Sequence, residues 1–265
     1  MPGRARPRAR PYTAYMAPPL RDIVLLVQVR SRHGRPARAL AALLLALCCA
    51  GPAHAAHILV DAGHGPERPG AIGASGRAEY LYNRDLAAAL VRVLAALGHR
   101  TTRVEGIATD IPPARRPAGA PAADLLVSIH HDAAQARYLQ AGRQAEFAGY
   151  SVFVSMLNPQ PDRSLRCAQE IGAQLREAGE RPSEYHAEPI KGENRPFLDR
   201  RLGVHRYDGL AVLRHAPMPA VLVEAGVIVN PAEEARLRRP ETIKRLAGAI
   251  ARGVSACLKG PRGGD

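Results

Sequence analysis

Four side chains have the types and positions to do chemistry together. His64 sits at the tip of Asp61-Ala62-Gly63-His64-Gly65, a tight glycine turn that closes the apolar run His57-Ile58-Leu59-Val60. His130 ends a second apolar run, Asp124-Leu125-Leu126-Val127-Ser128-Ile129-His130. Between them, Glu79 opens a segment with helical periodicity. Two imidazoles and one carboxylate, each at the edge of a regular element, form a three-ligand set for one catalytic zinc, which keeps a fourth position for water. Such a metal brings the pKa of its water to about 7 and polarises a carbonyl. A carboxylate must then serve as general base and later as acid. Glu224, at the end of Val221-Leu222-Val223, is the candidate. Ligands gather at the carboxyl ends of strands in open α/β sheets, and three of these four residues end strand-like runs.

Each of these residues taken singly has an ordinary role. A carboxylate in the first turn of a helix is favoured by the helix dipole, and a histidine after a strand is commonly a hydrogen-bonded core or surface residue. His131 follows His130 directly, and pleat alternation puts the two on opposite sides of a strand. Asp61 is read as stabilising the turn after its strand. His99, His186, His205 and His215 have no partner at ligand spacing and are read as structural or surface residues.

The elements that must position the site alternate along the chain. Strands are expected at residues 58–60, 100–104, 125–129, 150–155, 210–214 and 221–223. Helices are expected at 79–97, closed by Gly98 as a C-cap glycine, at 164–178, from Pro231 as an N1 proline, and at 240–258. Residues 112–117 read as a short turn or helix. Strands separated by helical patterns indicate βαβ units. The expected fold is a single α/β domain: a twisted, mostly parallel or mixed sheet of about six strands, flanked by helices on both faces. No repeats, heptads or second domain are read. Residues 179–201, with Arg181-Pro182, Glu188-Pro189 and Arg195-Pro196, are long for a loop and read as the wall of a substrate groove.

The net charge of +13 belongs largely to one end of the chain. Residues 1–55 hold nine Arg against one acidic residue, Asp22, leaving 28 basic and 23 acidic residues in the rest. That mild excess is compatible with an anionic polymer substrate. A nucleic-acid binder would keep a basic stripe in its folded part, and 4% aromatic residues with no Trp offer few stacking platforms. Arg30, Arg32, Arg35 and Arg38 precede the apolar run 39–47, and Ala53-His54-Ala55 follows. These are the three parts of a secretory signal peptide, with cleavage expected after Ala55. The apolar run is shorter than the roughly 20 residues of a membrane span. No stable membrane insertion is expected after cleavage. The expected organisation is a disordered basic leader and signal at 1–55, a catalytic domain at 56–260 and a frayed tail at 261–265. The location is periplasmic or extracellular. Leu47 is bulky where lipid attachment at Cys48 wants a small residue. Cys167 and Cys257 remain in the mature chain, both in helical patterns, and either a disulfide or two buried thiols fits them.

These residues carry a resemblance. Asp61-Ala62-Gly63-His64-Gly65, Glu79, Ser128-Ile129-His130 and Val223-Glu224-Ala225-Gly226 with Asn230-Pro231 look like the zinc-dependent N-acetylmuramoyl-L-alanine amidases of the bacterial cell wall. The strand pair read around residues 210–214 and 218–224 also resembles that family's pattern. The resemblance covers about residues 57–258. It implies a sheet flanked by helices and one zinc held by His64, Glu79 and His130, with Glu224 as catalytic acid/base. It also implies hydrolysis of the amide between N-acetylmuramic acid and the L-alanine of the stem peptide, with peptidoglycan or muropeptides as partner. Two stretches depart from the pattern. Residues 225–229 replace an aromatic-containing run, and His131 stands where many relatives carry a small residue. The short stretch between Asp132 and Gly149 leaves no room for the blocking helix of regulated members, so an activator protein is not indicated. The rival readings are a zinc carboxypeptidase acting on wall peptides and a catalytically silent wall-binding protein. The latter would have lost a ligand or Glu224, and all four residues are present.

Overall fold

The computed structural model describes residues 55–106 and 110–259. The basic leader, the signal-like segment up to His54 and the tail from Gly260 lie outside the described residues. Among those described, the strands are β1 (His57–Ala62), β2 (Arg100–Glu105), β3 (Leu125–Asp132), β4 (Ser151–Val154), β5 (Phe197–Asp199), β6 (Val204–Arg206) and β7 (Ala220–Val227). The helices are α1 (Glu79–Ala96), α2 (Ala136–Gln140), α3 (Pro161–Glu177), α4 (Ala211–Arg214), α5 (Pro231–Leu237) and α6 (Pro240–Leu258), with a 3₁₀ segment at Pro113–Gly119.

The strands form one seven-stranded sheet in the order β2-β1-β3-β7-β4-β6-β5. The pairs β1–β2, β1–β3, β3–β7 and β4–β6 are parallel; β4–β7 and β5–β6 are antiparallel. β1, β3 and β7 are central and buried on both faces, which is why they read as near-continuous apolar runs. α1 ends as the sequence predicts: Gly98 takes φ of +86°, and the His99 amide bonds back to the Leu94 carbonyl at 3.0 Å. α5 starts at Asn230, whose side chain accepts from the Ala232 and Glu233 amides ahead of Pro231.

One face of the sheet is thickly covered. Ile58, Val60, Val127, Ile129, Val221 and Val223 pack against Leu86, Leu90 and Leu94 of α1, Ile171 of α3, and Ile250 and Val254 of α6. A disulfide, Cys167–Cys257, joins α3 to α6 with the Cα atoms 4.9 Å apart. The opposite face carries Leu59, Val104, Leu126, Phe153 and Leu222, and its cover is slight: Ala120 and Ala123 on one side, Val212 and Leu213 of α4 on the other. Helices therefore lie on both faces as expected, but unequally.

Three expectations are corrected. Residues 210–214 do not form a strand. They enter the four-residue helix α4, whose Val212 and Leu213 cover the sheet instead of extending it. A short apolar run has no period long enough to separate the two states. The sheet has seven strands, because β5 and β6 arise in a stretch with no strand signal. Phe197–Asp199 is the edge, three residues long and half-exposed, so little alternation marks it. Finally, residues 179–201 do not line the main cleft at the sheet edge, although Gly179, Glu180 and Arg181 border a separate surface groove. Tyr185 instead packs with Phe147 and Tyr138, and His186 is buried against β3.

Candidate metal centre and its cleft

The carboxyl ends of β1, β3 and β7 bring the four predicted residues together. β1 ends at Ala62, and the chain turns at His64 with a φ of +66°, a left-handed conformation that a non-glycine residue adopts only when its surroundings hold it there. Arg116 provides that hold. Its guanidinium donates to the Ala62 and His64 carbonyls, both at 2.7 Å, and pairs with buried Asp61 at 2.6 Å. Asp61 also accepts from Ser128 Oγ at 2.6 Å. Asp61 is therefore neither a ligand nor a turn cap; it is the buried counter-charge that seats Arg116. Gly63 is required for a different reason: a Cβ there would collide with the His130 imidazole.

Glu79 is the hub. His64 Nε2 lies 3.2 Å from one of its carboxylate oxygens and His130 Nδ1 lies 3.1 Å from the other. One donor atom from each of the three residues falls within 4.8 Å of the others. The two imidazole rings meet edge to face, 4.9 Å between centroids. Burial disfavours charge on both members of the Glu79–His130 pair. Their mutual hydrogen bond and the surrounding opposite charges together outweigh it, holding the Glu79 carboxyl well below the usual carboxylate range and the His130 imidazole above its usual value. Burial lowers the His64 pKa. A buried carboxylate facing two imidazoles is a donor set that a divalent cation fits, replacing the proton on His130.

Outside these three lies a supporting layer. Asn83, one helical turn after Glu79, donates to Glu79 Oε1 at 3.0 Å and to the Gly63 carbonyl at 3.1 Å. Its own carbonyl lies 2.8 Å from His131 Nδ1. His131 points to the thickly covered face as pleat alternation requires, near Tyr82, and burial pushes its pKa down to about 3, so it stays neutral. The Ala71 amide donates to the other Glu79 oxygen at 3.0 Å. Asn83 was legible in principle, since an amide four residues after a ligand on a helix shares its face. Arg116 was not, because its partner Asp61 is 55 positions away in a different element.

Glu224 is the direct neighbour of His130 in the β3–β7 register, so the two side chains stand abreast on the slightly covered face. A register shift follows between His130 and Asp132, at the edge where the site lies. Burial pushes the Glu224 carboxyl up out of the ordinary range; His130 opposes this, while Asp132 and Glu79 add to it. A cleft of about 600 Å³ opens over these residues. Asp61, His64, His130, Leu222 and Glu224 line it, Ile111, Pro112 and Pro113 form one side, and Gly209, Leu210, Ala211 and Val212 form the other. Among the described residues, none between Asp132 and Gly149 lines this cleft; that stretch holds the five-residue α2. His99, His186 and His205 bond elsewhere, to Ser255, to Asp132 with Glu193, and to the Arg195 carbonyl.

Fold and site together define an α/β protein with a metal-competent triad and an acidic partner at the carboxyl edge of its sheet. Comparison gives the family. Residues 58–256 match the model of the N-acetylmuramoyl-L-alanine amidases, and the chain belongs to that family. It is similar to the N-acetylmuramoyl-L-alanine amidase AmiC of Neisseria meningitidis serogroup B, at 28% identity over 228 residues, covering 74% of this chain and 51% of that protein. The chain thus spans about half the length of that curated relative. Among solved structures it is similar to the amidase Ami1 of Mycobacterium smegmatis, with a TM-score of 0.64 and 25% identity, covering 77% of this chain and 97% of that one. The N-acetylmuramoyl-L-alanine amidase of Clostridium difficile 630 shares the fold, with a TM-score of 0.63 and 24% identity over 78% of this chain and 98% of that one.

Proposed function

We propose that this chain hydrolyses the amide between N-acetylmuramic acid and the L-alanine of the peptidoglycan stem peptide. In this reading His64, Glu79 and His130 hold one zinc and Glu224 is the catalytic acid/base. The observation that carries it is the convergence of three donor atoms within 4.8 Å beside a carboxyl in register with His130. When bound, zinc supplies a Lewis acid and lowers the pKa of water. The chain's own residues do the rest. Glu224 takes the proton of the attacking water as the new C–O bond forms at the lactyl carbonyl. It returns that proton to the alanine nitrogen as the C–N bond breaks. A carboxyl whose pKa burial has raised is suited to the second step. Asn83 keeps Glu79 oriented, and Arg116 keeps the His64 turn closed.

Residues 56–260 are the catalytic domain in this reading, and residues 1–55 direct export to the periplasm or beyond. The basic and apolar pattern ending at Ala55 supports export. So does the Cys167–Cys257 disulfide, a bond that persists in oxidising compartments. No described helix is long and apolar enough to cross a membrane.

The test is mass spectrometry of purified peptidoglycan digested by the protein, with and without a zinc chelator. Release of whole stem peptides with a free L-alanine amine is expected, lost on chelation and restored by zinc. Peptides shortened only at their far end would replace the amidase reading with a carboxypeptidase one.

A further inference from the structure

Two buried polar atoms on neighbouring strands lack partners. Ser151 is fully buried, and its Oγ makes no hydrogen bond; Glu224 Oε2 is likewise buried and unpartnered. Buried polar groups are paired in the great majority of cases, so each orphan needs an explanation. Here the two are directly opposite: Ser151 pairs with Glu224 in the antiparallel β4–β7 register. Side chains at such positions stand on the same face with Cβ atoms about 4.5–5.5 Å apart. Both lie on the slightly covered face, since Phe153 and Leu222, the pair two positions along that register and so on the same face, pack there together. One strand further, His130 is the partner of Glu224 in β3. The row across the sheet is therefore His130, Glu224, Ser151: a metal-ligand candidate, a carboxyl and a hydroxyl.

We propose that Ser151 is a positioning residue for Glu224, its hydroxyl donating to Oε2, directly or through one water, during turnover. A carboxyl acting first as base and then as acid must keep one oxygen aimed at the reacting atoms. Glu224 already lines the cleft, with His130 on one side. A hydroxyl on the other side fixes the oxygen that does not react and leaves the other free for the proton. This rests on the acid/base reading of Glu224 given above.

The test compares Ser151→Ala, Ser151→Val and Ser151→Thr, each also placed in Glu224→Gln. Val and Thr have nearly the same shape and β-propensity and differ by methyl against hydroxyl. Loss of a hydrogen bond to a charged group predicts that kcat falls about tenfold or more in the Ala and Val proteins. KM, zinc content and melting temperature are expected within error of wild type, and Thr is expected to recover most of kcat. In the Glu224→Gln background the Ser151 changes should subtract nothing further from the residual rate. A Val protein as fast as the Thr protein overturns the proposal, as does a Ser151 loss that adds in full to that of Glu224→Gln. Should Glu224→Gln alone turn over at the wild-type rate, the acid/base assignment falls, and the role of Ser151 with it.

Discussion

The two faces of this sheet are built from the same strands and do different work. On one, Val127, Ile129, Val221 and Val223 lie fully buried under three long helices and a disulfide. On the other, the alternate residues of the same strands are Ser128, His130, Leu222 and Glu224, and the described residues that cover this face belong to short segments around the 3₁₀ turn and α4. Because strand side chains alternate with a period of two, one chain segment can stabilise with its odd positions and hold a site with its even ones. Leaving the second cover short is what makes the cleft. The comparison teaches that stability and reactivity are separated here by face, not by segment, and that substitutions one residue apart should have unlike consequences.

The sharpest break in that comparison is Glu224→Gln. Turnover is expected to fall by about a thousandfold or more, with zinc content and melting temperature unchanged. Its neighbour Val223, on the packed face, should show the opposite pattern when truncated. Removing the disulfide as Cys167→Ala with Cys257→Ala releases a separation of 90 residues and should lower unfolding free energy by about 4 kcal/mol, read by denaturant titration, with kcat of the folded protein preserved. Ile250→Ala, fully buried on that same face, should cost about 3 kcal/mol with the same sparing of kcat. Loss of activity per folded molecule in either case would mean that the faces are coupled.

Asn83→Ala tests the seam between them, since Asn83 lies on a packing helix yet orients Glu79. Zinc affinity should weaken about ten- to a hundredfold in a competition titration, with a smaller loss of stability. A pH effect concerns His186, whose two nitrogens lie 2.7 Å from Asp132 and 2.8 Å from Glu193. Burial opposes its charge, but the two carboxylates win and raise its pKa to about 10. The folded value exceeds the unfolded one, near 6.5, so its stabilisation is complete below about pH 6.5 and disappears as pH rises towards 10. The melting temperature should fall across that window, and His186→Gln should reduce the slope, leaving the part due to Glu224 and His130, whose pKa values are also raised.

Much of this was legible in the chain itself. The runs that became β1, β3 and β7 are apolar because both faces of a central strand are buried. The glycine turn, the helix caps and the carboxyl-end placement of His64, His130 and Glu224 follow from local chemistry. The sequence by itself determined the core strands, the long helices and the four residues of the proposed centre, since each depends on periodicity or on a turn within a few residues. Tertiary structure alone decided the rest. It paired Cys167 with Cys257, turned residues 210–214 into cover for the sheet, built β5 and β6 from a run with no period, and seated Arg116 on Asp61 and the His64 turn. It also set Ser151 beside Glu224. Apart from the local β5–β6 pairing, these are contacts between residues far apart in the chain, where spacing carries no information and only the register of neighbouring elements settles who meets whom.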